Sequence, residues 1–169
     1  MLDPTFQATN SATITLSGTA GEKQTIKLYK NNDYISDTTT EKKGLFVFED
    51  IRLSKGENSF KVKAVTEQKK ESTLSEEQII TYLTEAPMLE IEQPSDGQSF
   101  SKDNNPITVK GKTNPNVKVT VNSLWAIIDN EGIFSYTFRL QNGENILIIV
   151  ATDQAGNKTE SSLKVTYSQ

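Results

Sequence analysis

The chain repeats itself once, and that repeat constrains its fold more than any other feature. Ile14-Thr15-Leu16-Ser17-Gly18 matches Ile107-Thr108-Val109-Lys110-Gly111. Gly44-Leu45-Phe46-Val47-Phe48 matches Gly132-Ile133-Phe134-Ser135-Tyr136. Arg52-Leu53 and Gly56-Glu57-Asn58 match Arg139-Leu140 and Gly143-Glu144-Asn145. Ala64 corresponds to Ala151, and Thr81-Tyr82 to Thr166-Tyr167. Matched segments in one order predict two domains of the same architecture, 1–85 and 86–169, with the boundary near Glu85-Ala86-Pro87. The Gly18–Gly44 separation is 26 residues against 21 for Gly111–Gly132, so copy one carries a longer loop. Gly44–Gly56 is 12 against 11 for Gly132–Gly143, which predicts one extra residue, a β-bulge, near Glu49-Asp50.

Both copies read as all-β. In copy two Val117, Val119 and Val121 alternate with polar residues, as do Phe134, Tyr136 and Phe138, and Leu163, Val165 and Tyr167. A period of two is the pattern of a strand with one face buried. Turn chemistry separates the runs, with Gly132 and Asn142-Gly143 supplying positive φ in copy two and Gly44 and Gly56 standing at the same places in copy one. Asp153 and Asn157 are placed to fold onto backbone N–H groups across the Gly156 turn. Asn58 and Asn145 end the shared Gly-Glu-Asn turn. About seven short strands per copy is the content of an immunoglobulin-like sandwich. The charged stretch Thr66–Gln78 permits a helical turn, but the repeat puts it in the loop before the last strand.

The motifs of copy two are Ile107–Gly111, Val119–Asn122, Asp129–Phe134, Leu140–Asn145 and Ala151-Thr152-Asp153-Gln154-Ala155-Gly156-Asn157. This series resembles the tandem Ig-like domains of bacterial secreted and cell-surface proteins, including the Ig-like accessory domain of glucodextranase-type enzymes. The resemblance covers nearly all of copy two. Copy one keeps the glycine, phenylalanine and Gly-Glu-Asn frame but has Ala64-Val65-Thr66-Glu67-Gln68 where copy two has the Asp153 turn. Such domains serve as spacers, adhesins and enzyme appendages alike, so the resemblance implies a fold more sharply than a role.

Composition narrows the chemistry. Among 169 residues there is no Cys and no His. Disulfides, thiolate metal sites, cysteine nucleophiles and histidine acid–base chemistry are therefore excluded. Lysine outnumbers arginine sixteen to two and the net charge is −4, which argues against a nucleic-acid partner. No apolar run is long enough to cross a bilayer. Met1-Leu2-Asp3-Pro4 has no leader character, and the repeat favours a fragment of a longer chain. Carboxylates fall in turns or on solvent-facing strand positions, so catalysis is not expected. Asp129, Glu131 and Asp153 at loop tips leave calcium as the alternative to purely structural turns, and an interdomain calcium site would draw on Glu85, Glu90, Glu92 and Asp96.

One feature exceeds what the fold needs. After the Gly-Glu-Asn turn, the outward positions of copy one are Ser59, Lys61 and Lys63; in copy two they are Ile146, Ile148 and Val150. Counting back from Gly132 also turns Trp125 and Ile127 outward. Three accounts of these five residues stand open. They are covered by copy one or by a neighbouring domain of the same polypeptide, they bind a surface protein or glycan with Trp125 as platform, or the register is off by one and Trp125 is core. The expectation is a non-catalytic spacer and presentation module of an extracellular or surface-anchored bacterial protein, adhesive through copy two. The alternative is an accessory or carbohydrate-binding module of a secreted polysaccharide-active enzyme.

Overall fold

The period-two segments become strands whose side chains alternate between a shared core and solvent. The computed structural model describes residues 1–169. They divide into unit 1, Met1–Thr84, and unit 2, Glu85–Gln169. Unit 1 contains β1 (Ala8–Thr9), β2 (Thr13–Thr19), β3 (Thr25–Lys30), β4 (Asp33–Thr39), β5 (Leu45–Arg52), β6 (Gly56–Val65) and β7 (Gln78–Tyr82). Unit 2 contains β8 (Leu89–Gln93), β9 (Ser99–Ser101), β10 (Ile107–Thr113), β11 (Lys118–Val121), β12 (Leu124–Trp125), β13 (Ile127–Ile128), β14 (Ile133–Phe138), β15 (Gly143–Thr152) and β16 (Lys158–Ser168). The helical content is two short 3-10 turns, Lys42–Gly44 and Lys102–Asn104.

Each unit is a two-sheet sandwich. In unit 1, β2 pairs with β5, facing a sheet ordered β1-β7-β6-β3-β4. In unit 2, a sheet ordered β13-β14-β10-β8 faces one ordered β12-β11-β15-β16-β9. Both sheets feed each core. Ile14, Leu16, Phe46 and Phe48 meet Ile26, Leu28, Phe60, Val62 and Ile80 in unit 1. Val109 and Phe134 meet Val119, Val121, Leu147, Ile149 and Ala151 in unit 2. The all-β expectation therefore holds, with two immunoglobulin-like sandwiches. Unit 2 has nine strands against the anticipated seven, one of them added because residues 124–128 change sheets midway. Trp125 pairs with Thr120, whereas Ile127 pairs with Ser135 of the opposite sheet.

The repeat motifs are packing devices. In each unit a phenylalanine ring lies on a glycine. A Cβ on Gly18 would fall 2.4 Å from Phe46 Cζ, and one on Gly111 would fall 2.6 Å from Phe134 Cζ. The bulge predicted near Glu49-Asp50 is present. Ile14 pairs with Ile51 and Leu16 with Phe48, leaving the extra residue in β5, where Asp50 adopts φ 54°.

Thr66–Gln78 is not helical. Its chain runs beside β6 beyond the reach of β7, with the Ser72 and Ser75 N–H groups donating to the Ala64 and Val62 carbonyls at 2.9 Å. The Ser75 and Ser72 hydroxyls accept in return from the Val62 and Ala64 N–H groups, both at 3.0 Å. Serine side chains thus stand in for ladder carbonyls where the strand pairing lapses.

The turn residues named from the sequence fall where chain direction changes. Gly44, Gly56, Gly132, Gly143 and Gly156 all have positive φ. At Gly132 the constraint is double, because a Cβ there would sit 2.1 Å from the Thr113 carbonyl oxygen. Asn145 is buried, and its Oδ1 accepts from the Gln141 N–H at 2.8 Å while its Nδ2 donates to the Gln141 and Gly143 carbonyls at 2.7 and 3.1 Å. Asn58 does the same with Ser54 and Gly56. Asp153 Oδ1 accepts from the Ala155 and Asn157 N–H groups, and the Asn157 Nδ2 donates to Asp153 Oδ2 at 2.8 Å. Replacing Asn145 by Ala would strand the Gln141 N–H. Chemical denaturation of the Asn145→Ala chain is expected to show unit 2 destabilised by about 2 kcal/mol.

Candidate functional site

The candidate face forms because a two-residue turn folds Trp125 back onto β11. Asn122 and Ser123 both have positive φ, at 46° and 68°, as a tight hairpin of this length requires. Trp125 then stands opposite Thr120, which itself stands opposite Val150. Asn122 locks the next row. Its N–H donates to the Ile148 carbonyl at 2.8 Å, its Oδ1 accepts from the Ile148 N–H at 2.7 Å, and its Nδ2 donates to the Ile146 carbonyl at 3.1 Å. Trp125, Ile146, Ile148 and Val150 thereby share the outer face of one sheet. Trp125 is 67% exposed, so it is not a core residue. Ile146 and Ile148 are also exposed, and Val150 is half-buried.

Ile127 stands apart from the other four. Although 79% exposed, it pairs with Ser135, so its side chain projects from the opposite sheet. The alternation count was right about outwardness but could not register that the strand changes sheets at Ala126. Ala126 still donates to the Val119 carbonyl at 2.9 Å, one residue before the switch. Lys118, which the sequence reading did not single out, holds its Nζ 6.0 Å from the Trp125 ring centroid, a cation–π geometry. The Asn122-Ser123 turn was the available signal, because closing a two-residue hairpin brings Lys118 diagonal to Trp125. The apolar row is fringed by charge: Val150 pairs with Glu160, and Ile146 with Lys164.

The corresponding face of unit 1 is charged. Glu71 bridges Lys27 and Lys63 at 2.9 and 3.0 Å, and Lys61 meets Glu77 at 3.1 Å. Hydrogen bonds from Lys27 and then Lys63, with their positive charge, hold the Glu71 carboxyl below its ordinary value. Tyr29 and Tyr34 add an edge-on ring pair at 6.1 Å. Unit 1 thus offers Lys–Glu contacts at the strand positions where unit 2 offers Ile146, Ile148 and Val150.

Of the loop acids weighed for calcium, Asp129 and Asp153 are engaged by backbone N–H groups of their own turns. Asp129 Oδ1 accepts from the Glu131 and Ile133 N–H groups, both at 2.9 Å, and Asp153 is committed to its own turn. No group of three or more acidic side chains gathers in a position to hold a metal. Glu92 pairs with Lys110 at 3.0 Å, and Asp96 Oδ1 accepts from the Lys164 N–H.

With this geometry in view, comparison with known proteins becomes informative. Residues 87–169 match the family described as glucodextranase, domain B. Unit 2 is an Ig-like module similar to that domain. The glucodextranase-B-like unit therefore carries both the motif series and the Trp125 face. The chain is also 33% identical over 153 residues to Bacillopeptidase F of Bacillus subtilis (strain 168), covering 89% of this chain and 10% of that protein. The chain thus spans about a tenth of that relative's length. Among solved structures, the fibronectin(III)-like modules of Clostridium thermocellum CbhA superpose with a TM-score of 0.61 at 16% identity, covering 100% of this chain and 95% of that one. That likeness is one of fold.

Two outcomes follow from the two faces. Trp125→Ala is expected to leave unit 2 within about 0.5 kcal/mol of the parent, since an exposed ring contributes little to the core. Phe134→Ala should cost about 3–5 kcal/mol in the same calorimetric comparison. For unit 1, a carboxyl NMR titration should find Glu71 protonating below the ordinary 4.5. Its pairing with Lys27 and Lys63 stabilises the unit above that ordinary value and is lost as pH falls through the depressed one. Lys27→Met should move the Glu71 titration upward.

Proposed function

We propose that this chain is a non-catalytic spacer and presentation segment of an extracellular, multidomain bacterial protein, built from two Ig-like domains. The observation that carries this reading is the match of nearly the whole chain to a tenth of Bacillopeptidase F, together with two Ig-like sandwiches in which no three acidic side chains gather to hold a metal. Glu71, Glu77 and Glu92 sit in ion pairs, Asp129 and Asp153 close turns, and the buried Asn58 and Asn145 side chains bond backbone groups. Those are the contacts of a scaffold. The partners in this reading are neighbouring domains of the same polypeptide. Nucleic acid is disfavoured by the net charge of −4.

A second reading is favoured by one observation, the exposed Trp125 with Lys118 beside it. An aromatic ring fringed by hydrogen-bonding side chains suits a sugar face, so an accessory glycan-binding role of unit 2 is the alternative. A glycan array decides between the two. The spacer reading expects no retained glycan, and equal traces for the parent and Trp125→Ala. Retention by the parent that Trp125→Ala abolishes, with an unchanged melting profile, would replace the spacer reading by the glycan-binding one.

A further inference from the structure

The outer face of the β12-β11-β15-β16-β9 sheet carries its charges in an order that a second copy of the same face can answer. Four strands contribute one rung of it: Trp125 stands opposite Thr120, Thr120 opposite Val150, and Val150 opposite Glu160. The next rung on this face pairs Ile148 with Ser162, and the one after it pairs Ile146 with Lys164. Ile146, Ile148, Glu160, Ser162 and Lys164 are all exposed. The apolar row is thus centred on an uncharged rung, with an acid at one end and a base at the other, equally far from Ile148.

Ion pairing within the chain leaves that order open. Glu160 meets no lysine of its own chain. Lys164 reaches Glu144 at 3.5 Å with side chains 63% and 60% exposed, a contact of little worth in water. The matching face of unit 1 is built differently. Lys61 stands at the place of Ile148 and Lys63 at the place of Val150, and each already holds an acid, Glu77 or Glu71.

We propose that this face of unit 2 is a self-association surface, occupied by the same face of a second copy of this chain. Identical surfaces pair through a two-fold axis. An axis lying in the face along the Ile148–Ser162 rung lays each strand antiparallel over itself. Ile148 then meets the partner's Ile148, Val150 meets the partner's Ile146, and Glu160 meets the partner's Lys164, with the reciprocal contacts beyond the axis. Trp125, two strands from Val150 on the same rung, closes the apolar row on the hairpin side.

Other axes bring like charges together. On the Val150 rung the axis opposes Glu160 to the partner's Glu160, and on the Ile146 rung it opposes Lys164 to the partner's Lys164. An axis running along β15 lays β11 over β16 and sets Lys118 on the partner's Lys158, since both residues flank Thr152. Repulsion therefore selects the Ile148 register. Three aliphatic side chains and one indole make a smaller patch than the roughly 800 Å² that each partner buries in a standard interface, so the dimer is weak. Pairing covers Trp125, so pairing and glycan binding are alternative uses of this face.

The test is sedimentation equilibrium of the 169-residue chain up to about 1 mM, where weak complexes populate. The expected result is a monomer–dimer equilibrium that Ile148→Asp abolishes with the melting midpoint unchanged. Glu160→Lys and Lys164→Glu should each weaken pairing about tenfold, because like charges then meet across the axis. Mixing these two single variants should restore it, since each chain offers the charge that the other lacks, and the chain carrying both changes should pair like the parent. A strict monomer at the highest concentration would overturn the proposal. So would association that survives Ile148→Asp, which puts the contact elsewhere, or a mixture that pairs no better than its components. A monomer that retains glycan through Trp125 would overturn pairing in favour of the glycan reading. If Ile148→Asp unfolds unit 2, the mixing experiment decides by itself.

Discussion

Both sandwiches depend on an aromatic ring set down on a glycine. Phe46 lies over Gly18 and Phe134 over Gly111, so close that a single added carbon would collide with the ring and with the backbone of the preceding strand. Three segments meet at that point in each unit: the strand bearing the glycine, the strand bearing the ring, and the segment whose carbonyl passes behind, Met1-Leu2 in unit 1 and β8 in unit 2. The absence of a Cβ at the glycine lets the ring lie against the backbone, with the ring packed in the core of its unit. The buried asparagine of the Gly-Glu-Asn turn complements this contact. It closes the loop into a ten-residue strand in each unit, supplying bonds that water would otherwise have to provide.

Because interior contacts set the frame, the outer faces were free to diverge. At matching strand positions unit 1 holds Lys61 and Lys63, tied to Glu77 and Glu71, while unit 2 holds Ile146, Ile148 and Val150. The hairpin that precedes these strands in the chain diverges too. A two-residue turn in unit 2 brings Trp125 over Thr120, whereas the longer hairpin of unit 1 presents Tyr29 and Tyr34. Surface side chains contribute little to a core of this kind, so such exchanges cost little stability and can follow whatever neighbours each domain has. The edges diverged in the same way. Serine hydroxyls complete the β6 ladder in unit 1, where β16 completes that of β15 in unit 2.

Much of this was legible in the linear chain. The repeat, the period of two, the bulge at Glu49-Asp50 and the outward aim of Trp125 all follow from local geometry. In a strand, the facing of a residue depends only on its distance from a known inward neighbour. Contacts that depend on the partner strand were not legible. Ile127 was grouped with Trp125 because both count as outward, yet the strand changes sheets between them. Lys118 went unnoticed because its partner is reached through a turn.

The sequence by itself determined that the chain is all-β, that it holds two copies of one architecture, and which chemistries it lacks, since those follow from periodicity, self-similarity and composition. Only the tertiary structure decided which outward residues share a surface and which loop acids are already engaged. Those outcomes are set by strand pairing across long separations, and the alternation of a single strand carries no information about its neighbour.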